Sequence, residues 1–233
     1  MFGFNDPAAA QSGVDSFVNA IRELGEYFTG IGIERRPRPT EDLSSVIANA
    51  TVDGRLLELH ECVAYFVLIA SAGHDTTAGA MSGGLLALLE HPQQMAQLRA
   101  DETLLSKSVE EMIRWTTTTK CFLRTAATDY ELRGRSIVAG ERLLLSYASA
   151  NFDEDQFTQP ERFDIARWPN KHIACGFGTH FCLGVQLARI EMRCLFRELI
   201  ARTADIELTG LADFKPKVFV GGLKQLPVLC RHA

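Results

Sequence analysis

The chain has 233 residues and a formal net charge of −5 at pH 7, so it can bury a core and lacks the basic excess that favours nucleic acid. Its six cysteines form no C-x-x-C pair and no regular framework, which indicates a reducing compartment rather than a disulfide scaffold. We find no signal peptide, and the apolar runs are interrupted before they reach membrane-spanning length. These features predict a cytoplasmic globular protein that binds no nucleic acid and has no membrane span.

Hydrophobic residues recur at helical spacing along much of the chain. After a loop over residues 1–11, the predicted helices cover residues 15–34, a short segment from Thr40-Glu-Asp-Leu43, and residues 57–90, 93–99, 106–117 and 185–200. The helix over residues 57–90 is apolar on most sides, which is typical of a helix through the middle of a protein, and His91-Pro92 ends it.

Short strands are predicted after Trp115. They cover residues 122–126, 130–132, 136–138 and 142–147, and a final hairpin covers residues 218–228. A long irregular segment, residues 151–174, separates these groups. Since no repeat or linker divides the chain, the sequence predicts a single domain over residues 1–233, mainly α with small β-sheets.

The stretch from Cys175 to Gly184 (CGFGTHFCLG) is a glycine-rich loop that holds Cys182 just before a predicted helix. Glycine lets a flat ligand approach the backbone closely, and a helix N-terminus stabilises a thiolate over a thiol. A thiolate suits a soft or redox metal, and a cysteine thiolate is one axial ligand of haem iron. The loop alone leaves open the alternative of a buried structural cysteine beside a glycine turn.

A polar segment, Ala72-Gly-His-Asp-Thr-Thr77, interrupts the long apolar helix. Gly73 weakens the helix, Asp75 is costly to bury without a partner, and the Thr76 hydroxyl can open the helix locally. Together they predict a kinked groove that holds a small ligand and relays protons. The alternative is a solvated bend.

Two further signals are weak when each is taken alone. Glu111 and Arg114 are three residues apart on one predicted helix, so their side chains can meet. Arg162, in Pro160-Glu-Arg-Phe163, is a candidate third member of the same ion-pair network.

These motifs, in this order, resemble the cytochrome P-450 superfamily of haem-thiolate monooxygenases, most closely its soluble bacterial members. The resemblance covers nearly the whole chain and matches only the C-terminal half of the family fold. It implies that Cys182 is the proximal thiolate ligand of the iron of haem b and that Asp75 and Thr76 deliver protons to dioxygen. It also implies that Glu111, Arg114 and Arg162 form a structural triad. The expected haem contacts are Ala72, Gly73, Arg124, Phe177, Gly178, His180, Cys182 and Gly184.

The reaction implied is insertion of one oxygen atom from O2 into an apolar substrate. The two electrons are expected from NAD(P)H through a ferredoxin-type donor and its reductase. Near Cys182, positive side chains are candidates for docking that donor: Lys171, Arg189, Arg193 and Arg197. Leu68, Ile69, residues 116–122 and the Phe219 hairpin are candidates for the substrate site.

The sequence also departs from the family pattern. Cys175 replaces the usual Phe, Phe152 replaces a common Arg, and Thr116–Thr119 lacks a common Pro. The chain begins about halfway along the family fold, so we expect it to expose apolar surface and to bind haem weakly. The alternative is a truncated, non-catalytic remnant. Two further alternatives are weaker: Cys175 as the iron ligand, and a zinc site at Cys175, His180 and Cys182, whose spacing is unusual for zinc.

Overall fold

The structure, a computed structural model, describes residues 13–233. The described residues form two compact units, residues 13–75 and residues 76–233. The long helix α3 (Leu59–Glu90) contributes residues to both units. The loop predicted over residues 1–11 lies outside the described residues, and the single domain over residues 1–233 stays a prediction.

The first unit contains two helices before α3 and one small hairpin. They are α1 (Gly13–Arg35), α2 (Leu43–Ala48), β1 (Thr51–Val52) and β2 (Arg55–Leu56). The Asp42 side chain caps α2 by accepting a hydrogen bond from the Ser45 N–H at 2.7 Å. Asp53 and Gly54 form the hairpin turn with φ of 52° and 76°, as two-residue hairpin turns require. The helix predicted over residues 15–34 is confirmed.

A small core holds the first unit together. Phe28 of α1 stacks on Phe66 of α3 with their ring centroids 5.4 Å apart. Ile47, Leu57 and Cys62 are buried beside them. The other apolar side chains described on α1 are mostly exposed, namely Val18, Ile21, Leu24, Tyr27 and Ile33. The apolar face predicted for this helix is therefore covered only near its C-terminal end.

The second unit has a helical core. After α3 come α4 (Pro92–Ala100), α5 (Leu105–Thr116), α6 (Tyr147–Ala150) and α7 (Val185–Arg202), and the helices predicted at the places of α4, α5 and α7 are confirmed. Apolar side chains of α3, α4, α5 and α7 pack with two residues of the irregular segment, and the fully buried members include Leu88, Val109, Met112, Phe163, Ile165, Met192 and Phe196. None of the helices among residues 13–233 is both long enough and apolar enough to cross a membrane.

Glycines on α3 allow neighbouring segments of the same chain to pack closely against the helix. A Cβ atom at Gly79 would lie 2.4 Å from Thr118 Cγ2, and one at Gly84 would lie 2.9 Å from Met112 Cγ. Such distances are shorter than real contacts, so larger residues at these positions would force the packed segments apart. A Cβ atom at Gly73, in contrast, would meet nothing within 4 Å.

This contrast predicts opposite effects for two similar substitutions. We expect Gly79→Ala to lower the free energy of unfolding by about 1–3 kcal/mol because the added methyl group overpacks α3 against Thr118. Gly73→Ala should raise the free energy of unfolding by up to about 1 kcal/mol because alanine favours a helix interior. Urea unfolding of the haem-free chain measures both, and a stabilising Gly79→Ala would contradict the described packing.

Four short strands after Thr116 agree with the sequence. β3 (Cys121–Thr125) pairs antiparallel with β6 (Arg142–Ser146), and β4 (Tyr130–Leu132) pairs with β5 (Arg135–Ile137). In the β3–β6 register Arg124 lies opposite Leu143 and Thr125 opposite Arg142. This register places Arg124 and Arg142 near the same end of the β3–β6 pair.

The hairpin predicted over residues 218–228 is wrong. The last strands pair with partners outside that segment instead: β7 (Thr203–Leu208) with β10 (Val228–His232), and β8 (Asp213–Phe214) with β9 (Leu223–Gln225). Ahead of β9, Phe219 and Val220 lie along residues 118–120, where the Lys120 N–H donates to the Phe219 carbonyl at 2.9 Å. The backbone groups that a local hairpin would use are therefore bonded to other parts of the chain.

Candidate functional site

The loop from Cys175 to Gly184 closes on itself through its backbone. The Cys182 N–H donates to the Cys175 carbonyl at 2.9 Å, and the Phe181 N–H donates to the Gly178 carbonyl at 3.0 Å. Gly176 and Gly178 have φ of 76° and 68°, a region that favours glycine. A side chain at Gly176 would also press on the His180 carbonyl, since its Cβ would lie 3.2 Å away.

The Cys182 side chain lies just before α7 rather than within it. Gly184 caps the helix without a side-chain hydrogen bond, and the helix begins at Val185, three residues after the cysteine. The Cys182 side chain is exposed. Beside it in the loop, Phe177 and Leu183 are 84% and 90% exposed. An exposed thiol flanked by large apolar groups fits a flat apolar ligand that carries a metal at its centre.

A cavity of about 390 Å³ borders the loop through His180 and is lined also by Leu123, Arg124, Thr125 and Arg142. The structure thus brings together Arg124 and His180, two of the residues expected from the resemblance to contact haem. Arg142 also lines this cavity, and the sequence motifs did not identify it; in the β3–β6 register it lies opposite Thr125, which lines the cavity too. Two guanidinium groups and an imidazole suit the carboxylates of a porphyrin.

The residues predicted for the oxygen side lie on α3. Ala72 and Gly73 are exposed, and the Asp75 side chain is partly buried, with its carboxylate 3.5 Å from His74 Nδ1. The Thr118 hydroxyl donates to the Thr76 carbonyl at 3.3 Å. The helix continues through this segment from Leu59 to Glu90, and the kinked groove expected here stays a prediction.

Glu111 and Arg114 form the predicted ion pair, and both are fully buried. Arg114 donates to both oxygens of the Glu111 carboxylate at 2.8 Å and reaches the Asn151 carbonyl at 2.8 Å. The Glu111 carboxylate also accepts from the backbone N–H of Asp164 at 3.0 Å. Burial opposes ionisation of Glu111, but these hydrogen bonds outweigh it and lower the pKa of the carboxyl group.

The third side chain of this network is that of Arg167, so the prediction that Arg162 supplies it is wrong. Arg167 Nε lies 3.1 Å from Glu111 Oε2, and its other nitrogens bond the carbonyls of Thr158, Gln159 and Arg162. The Arg162 side chain is exposed and donates to the Gln159 side chain at 3.5 Å. Arg162 joins the network only through its backbone carbonyl.

The sequence contained no directional signal for Arg167. The Arg167 N–H donates to the Asp164 carbonyl at 3.0 Å, so the chain turns here and no strand alternation links Arg167 to the buried Phe163 and Ile165.

Arg189 was predicted to be a candidate for docking the electron donor, but its side chain is engaged within this chain. Its guanidinium donates to both oxygens of Glu110, at 2.7 and 2.8 Å, and its side chain is 22% exposed. Arg197 is more exposed but pairs with Glu102 at 2.9 Å. Of the predicted docking residues, Lys171 and Arg193 take part in no ion pair among residues 13–233.

Cys175 is half-buried and packs against the helical core. Burial raises the pKa of the Cys175 thiol to about 11, and the neighbouring Cys182 adds to this rise. A protonated thiol is a poor metal ligand, which favours Cys182 over Cys175 as the ligand. The described part of the chain contains no group of three or more His, Cys, Asp or Glu side chains placed to hold a metal ion.

Comparisons with known proteins agree on one family. The family model "Cytochrome P450" matches residues 33–203. "Cytochrome P450-terp" of a Pseudomonas species is 40% identical over 97% of this chain and 55% of its own length. A steroid C26-monooxygenase of Mycolicibacterium smegmatis is 41% identical over 96% of this chain and 55% of its own length.

Solved structures show the same similarity. The crystal structure of CYP108D1 from Novosphingobium aromaticivorans has a TM-score of 0.87 and 46% identity, over 92% of this chain and 52% of that one. CYP109E1 from Bacillus megaterium in complex with testosterone has a TM-score of 0.88 and 34% identity, over 92% of this chain and 60% of that one. The chain thus spans about half the length of the curated relatives it matches.

Proposed function

Since the chain belongs to the cytochrome P450 family, we propose that it is the haem-binding part of a monooxygenase whose iron is held by the Cys182 thiolate. The observation that carries this proposal is the Cys182 loop. Its exposed thiol is flanked by apolar side chains, and the adjoining cavity is lined by Arg124, Arg142 and His180. A metal ligand, an apolar surface and positive groups are the three features that a porphyrin with two carboxylates requires.

Haem bound to a thiolate supplies activation of dioxygen and insertion of one oxygen atom into an apolar substrate. The residues of this chain would perform the supporting tasks. Cys182 would donate charge to the metal, while Arg124, Arg142 and His180 would hold the propionate carboxylates. The remaining haem contacts expected from the resemblance are Ala72, Gly73, Phe177, Gly178 and Gly184.

Asp75 and Thr76 are proposed as the proton-transfer pair. A carboxyl group and a hydroxyl on consecutive residues of one helix can pass a proton from solvent to a bound ligand. The partly exposed Asp75 side chain supports this role because it combines access to water with access to a protein interior. Asp75→Asn and Thr76→Ala should therefore lower product formed per electron consumed without preventing haem binding.

The proposed substrate is an apolar small molecule, and the proposed electron source is NAD(P)H through a ferredoxin-type donor and its reductase. Relatives named for steroid C26-monooxygenation and for omega-hydroxylation of methyl-branched lipids support the substrate class. Lys171 and Arg193 are the proposed donor contacts, because Arg189 and Arg197 are engaged in ion pairs. We also propose a cytoplasmic location for the protein.

Titration of the haem-free chain with haem tests the proposal. One haem should bind weakly per chain, and the reduced protein should show the red-shifted Soret band of thiolate ligation when carbon monoxide is added. The chain with apolar substrate, donor and reductase should then form a hydroxylated product. Haem binding without a thiolate band would refute the ligand assignment. No haem uptake would favour the alternative of a non-catalytic remnant.

A further inference from the structure

One carboxylate on α5 contacts side chains from both sides of the Cys182 loop. Glu110 accepts two hydrogen bonds from Arg189, at 2.7 and 2.8 Å, and lies 3.1 Å from His172 Nε2. His172 lies three residues before the loop and Arg189 lies five residues after it. The side chains of Glu110 and His172 are 19% and 3% exposed, so the contacts are largely shielded from water. We call these three residues the Glu110 clamp.

The loop itself has little else to fix its position. Every residue from Phe177 to Gly184 is exposed, so packing contributes little to holding this part of the chain. Its backbone hydrogen bonds are mostly internal, such as the bond between the Cys182 N–H and the Cys175 carbonyl. The position of Cys182 relative to the helices therefore depends on the attachments at the two ends of the loop.

The clamp also controls a positive charge near the thiols. Arg189 lies in the second turn of α7, whose first residue follows Cys182 by three positions, so its guanidinium is held close to the loop. Its hydrogen bonds to Glu110 raise the pKa of Arg189. With Glu110 present, the planar guanidinium is committed to the carboxylate in a bidentate pair. Without Glu110 the same group would be free to turn toward a neighbouring anion.

We propose that Glu110 is a positioning residue for the Cys182 thiolate: it fixes both ends of the loop and keeps the Arg189 guanidinium away from the sulfur. This inference rests on the proposed function for its haem readouts but not for its readout in the haem-free chain. It assigns a role to Glu110 and His172 that is separate from the buried Glu111 network, although Glu110 and Glu111 are adjacent in sequence.

The experiment compares Glu110→Gln with Glu102→Gln. Glu102 is a matched control because it precedes α5 and also pairs with an arginine of α7, Arg197, but on the exposed surface. In the haem-free chain we measure hydrogen exchange of the loop amides by mass spectrometry. Glu110→Gln should speed exchange at Cys182 by about tenfold or more, the factor that loss of a charge-assisted hydrogen bond corresponds to. Glu102→Gln should leave it unchanged.

Haem-loaded protein provides the second readout. Glu110→Gln should make the reduction potential of the iron more positive, because a guanidinium turned toward the thiolate weakens its charge donation. It should also lower the fraction of carbon monoxide complex that shows the thiolate band. Arg189→Lys, which keeps the charge but loses the bidentate geometry, should give smaller changes in the same directions and is the variant to use if Glu110→Gln does not fold.

The outcomes distinguish failure of the proposed role of Glu110 from failure of the proposed function. Equal exchange rates in Glu110→Gln and Glu102→Gln, or an unchanged potential in Glu110→Gln, would overturn the proposed role of Glu110. Failure of the unsubstituted chain to bind haem would refute the proposed function, while the exchange comparison in the haem-free chain would still decide whether Glu110 fixes the loop.

Discussion

Cys182→Ala should abolish the red-shifted Soret band of the reduced, carbon monoxide-bound chain. The reason is that alanine removes the Cys182 sulfur, and the band arises from charge donation by a thiolate to the iron. Haem affinity should fall at the same time, since the metal–ligand bond contributes directly to binding. Absorption spectra of haem-loaded protein before and after reduction under carbon monoxide measure the effect.

Two other cysteines provide matched controls. Cys194 is an exposed thiol on α7, within the same helix that follows the loop, and Cys194→Ala should leave the band intact. Cys175→Ala should also keep it, because the Cys175 thiol is half-buried and its pKa is raised to about 11. If Cys182→Ala retains the band while Cys175→Ala loses it, the ligand is Cys175 and the assignment to Cys182 is wrong.

Arg167→Ala should destabilise the chain by about 3–5 kcal/mol, the usual cost of removing one partner from a buried ion pair. The substitution leaves the fully buried Glu111 carboxylate with one guanidinium fewer and breaks three bonds to backbone carbonyls. Urea unfolding of the haem-free chain gives the change in free energy of unfolding.

Arg162→Ala is the control variant for this prediction. The Arg162 side chain is exposed, so its loss should change the free energy of unfolding by less than about 0.5 kcal/mol. Arg167→Lys should fall between the two because it retains the charge but loses the hydrogen bonds of the guanidinium to the backbone carbonyls. Effects of similar size for Arg162→Ala and Arg167→Ala would contradict the buried network around Glu111, and so would a larger effect at Arg162.

Local patterns in the sequence were sufficient for most of the helices. Apolar spacing placed α1, α3, α4, α5 and α7 to within a few residues, and His91-Pro92 marked the end of α3. These features depend on residues close together in the chain, which is why periodicity detects them. The turn at Asp53-Gly54 was predictable for the same reason.

Features that depend on distant partners were not predictable in this way. The final strands were expected to pair with each other, whereas β10 pairs with β7 and Phe219 lies beside Lys120. The ion-pair network was expected to include Arg162, whereas a turn at residues 164–167 brings Arg167 to Glu111 instead. Nothing in the spacing of Glu110, His172 and Arg189 indicates that they meet.

The candidate site contains features of both kinds, some set by residues close in sequence and some by distant partners. Cys182 and its glycines are contiguous in sequence, so a single motif identifies them. Arg124 and His180 are far apart in sequence and were paired only through the family resemblance, and the structure places both around one cavity. Arg142 enters the same cavity through strand register, which becomes known only once β3 and β6 are paired.

A crystal structure of the haem-loaded chain, with an anomalous difference map recorded at the iron absorption edge, tests the central claim most directly. We predict one iron peak per chain at bonding distance from Cys182 Sγ, with the porphyrin carboxylates near Arg124, Arg142 and His180. An iron peak bonded to Cys175 or to a histidine, with Cys182 left uncoordinated, would contradict the account.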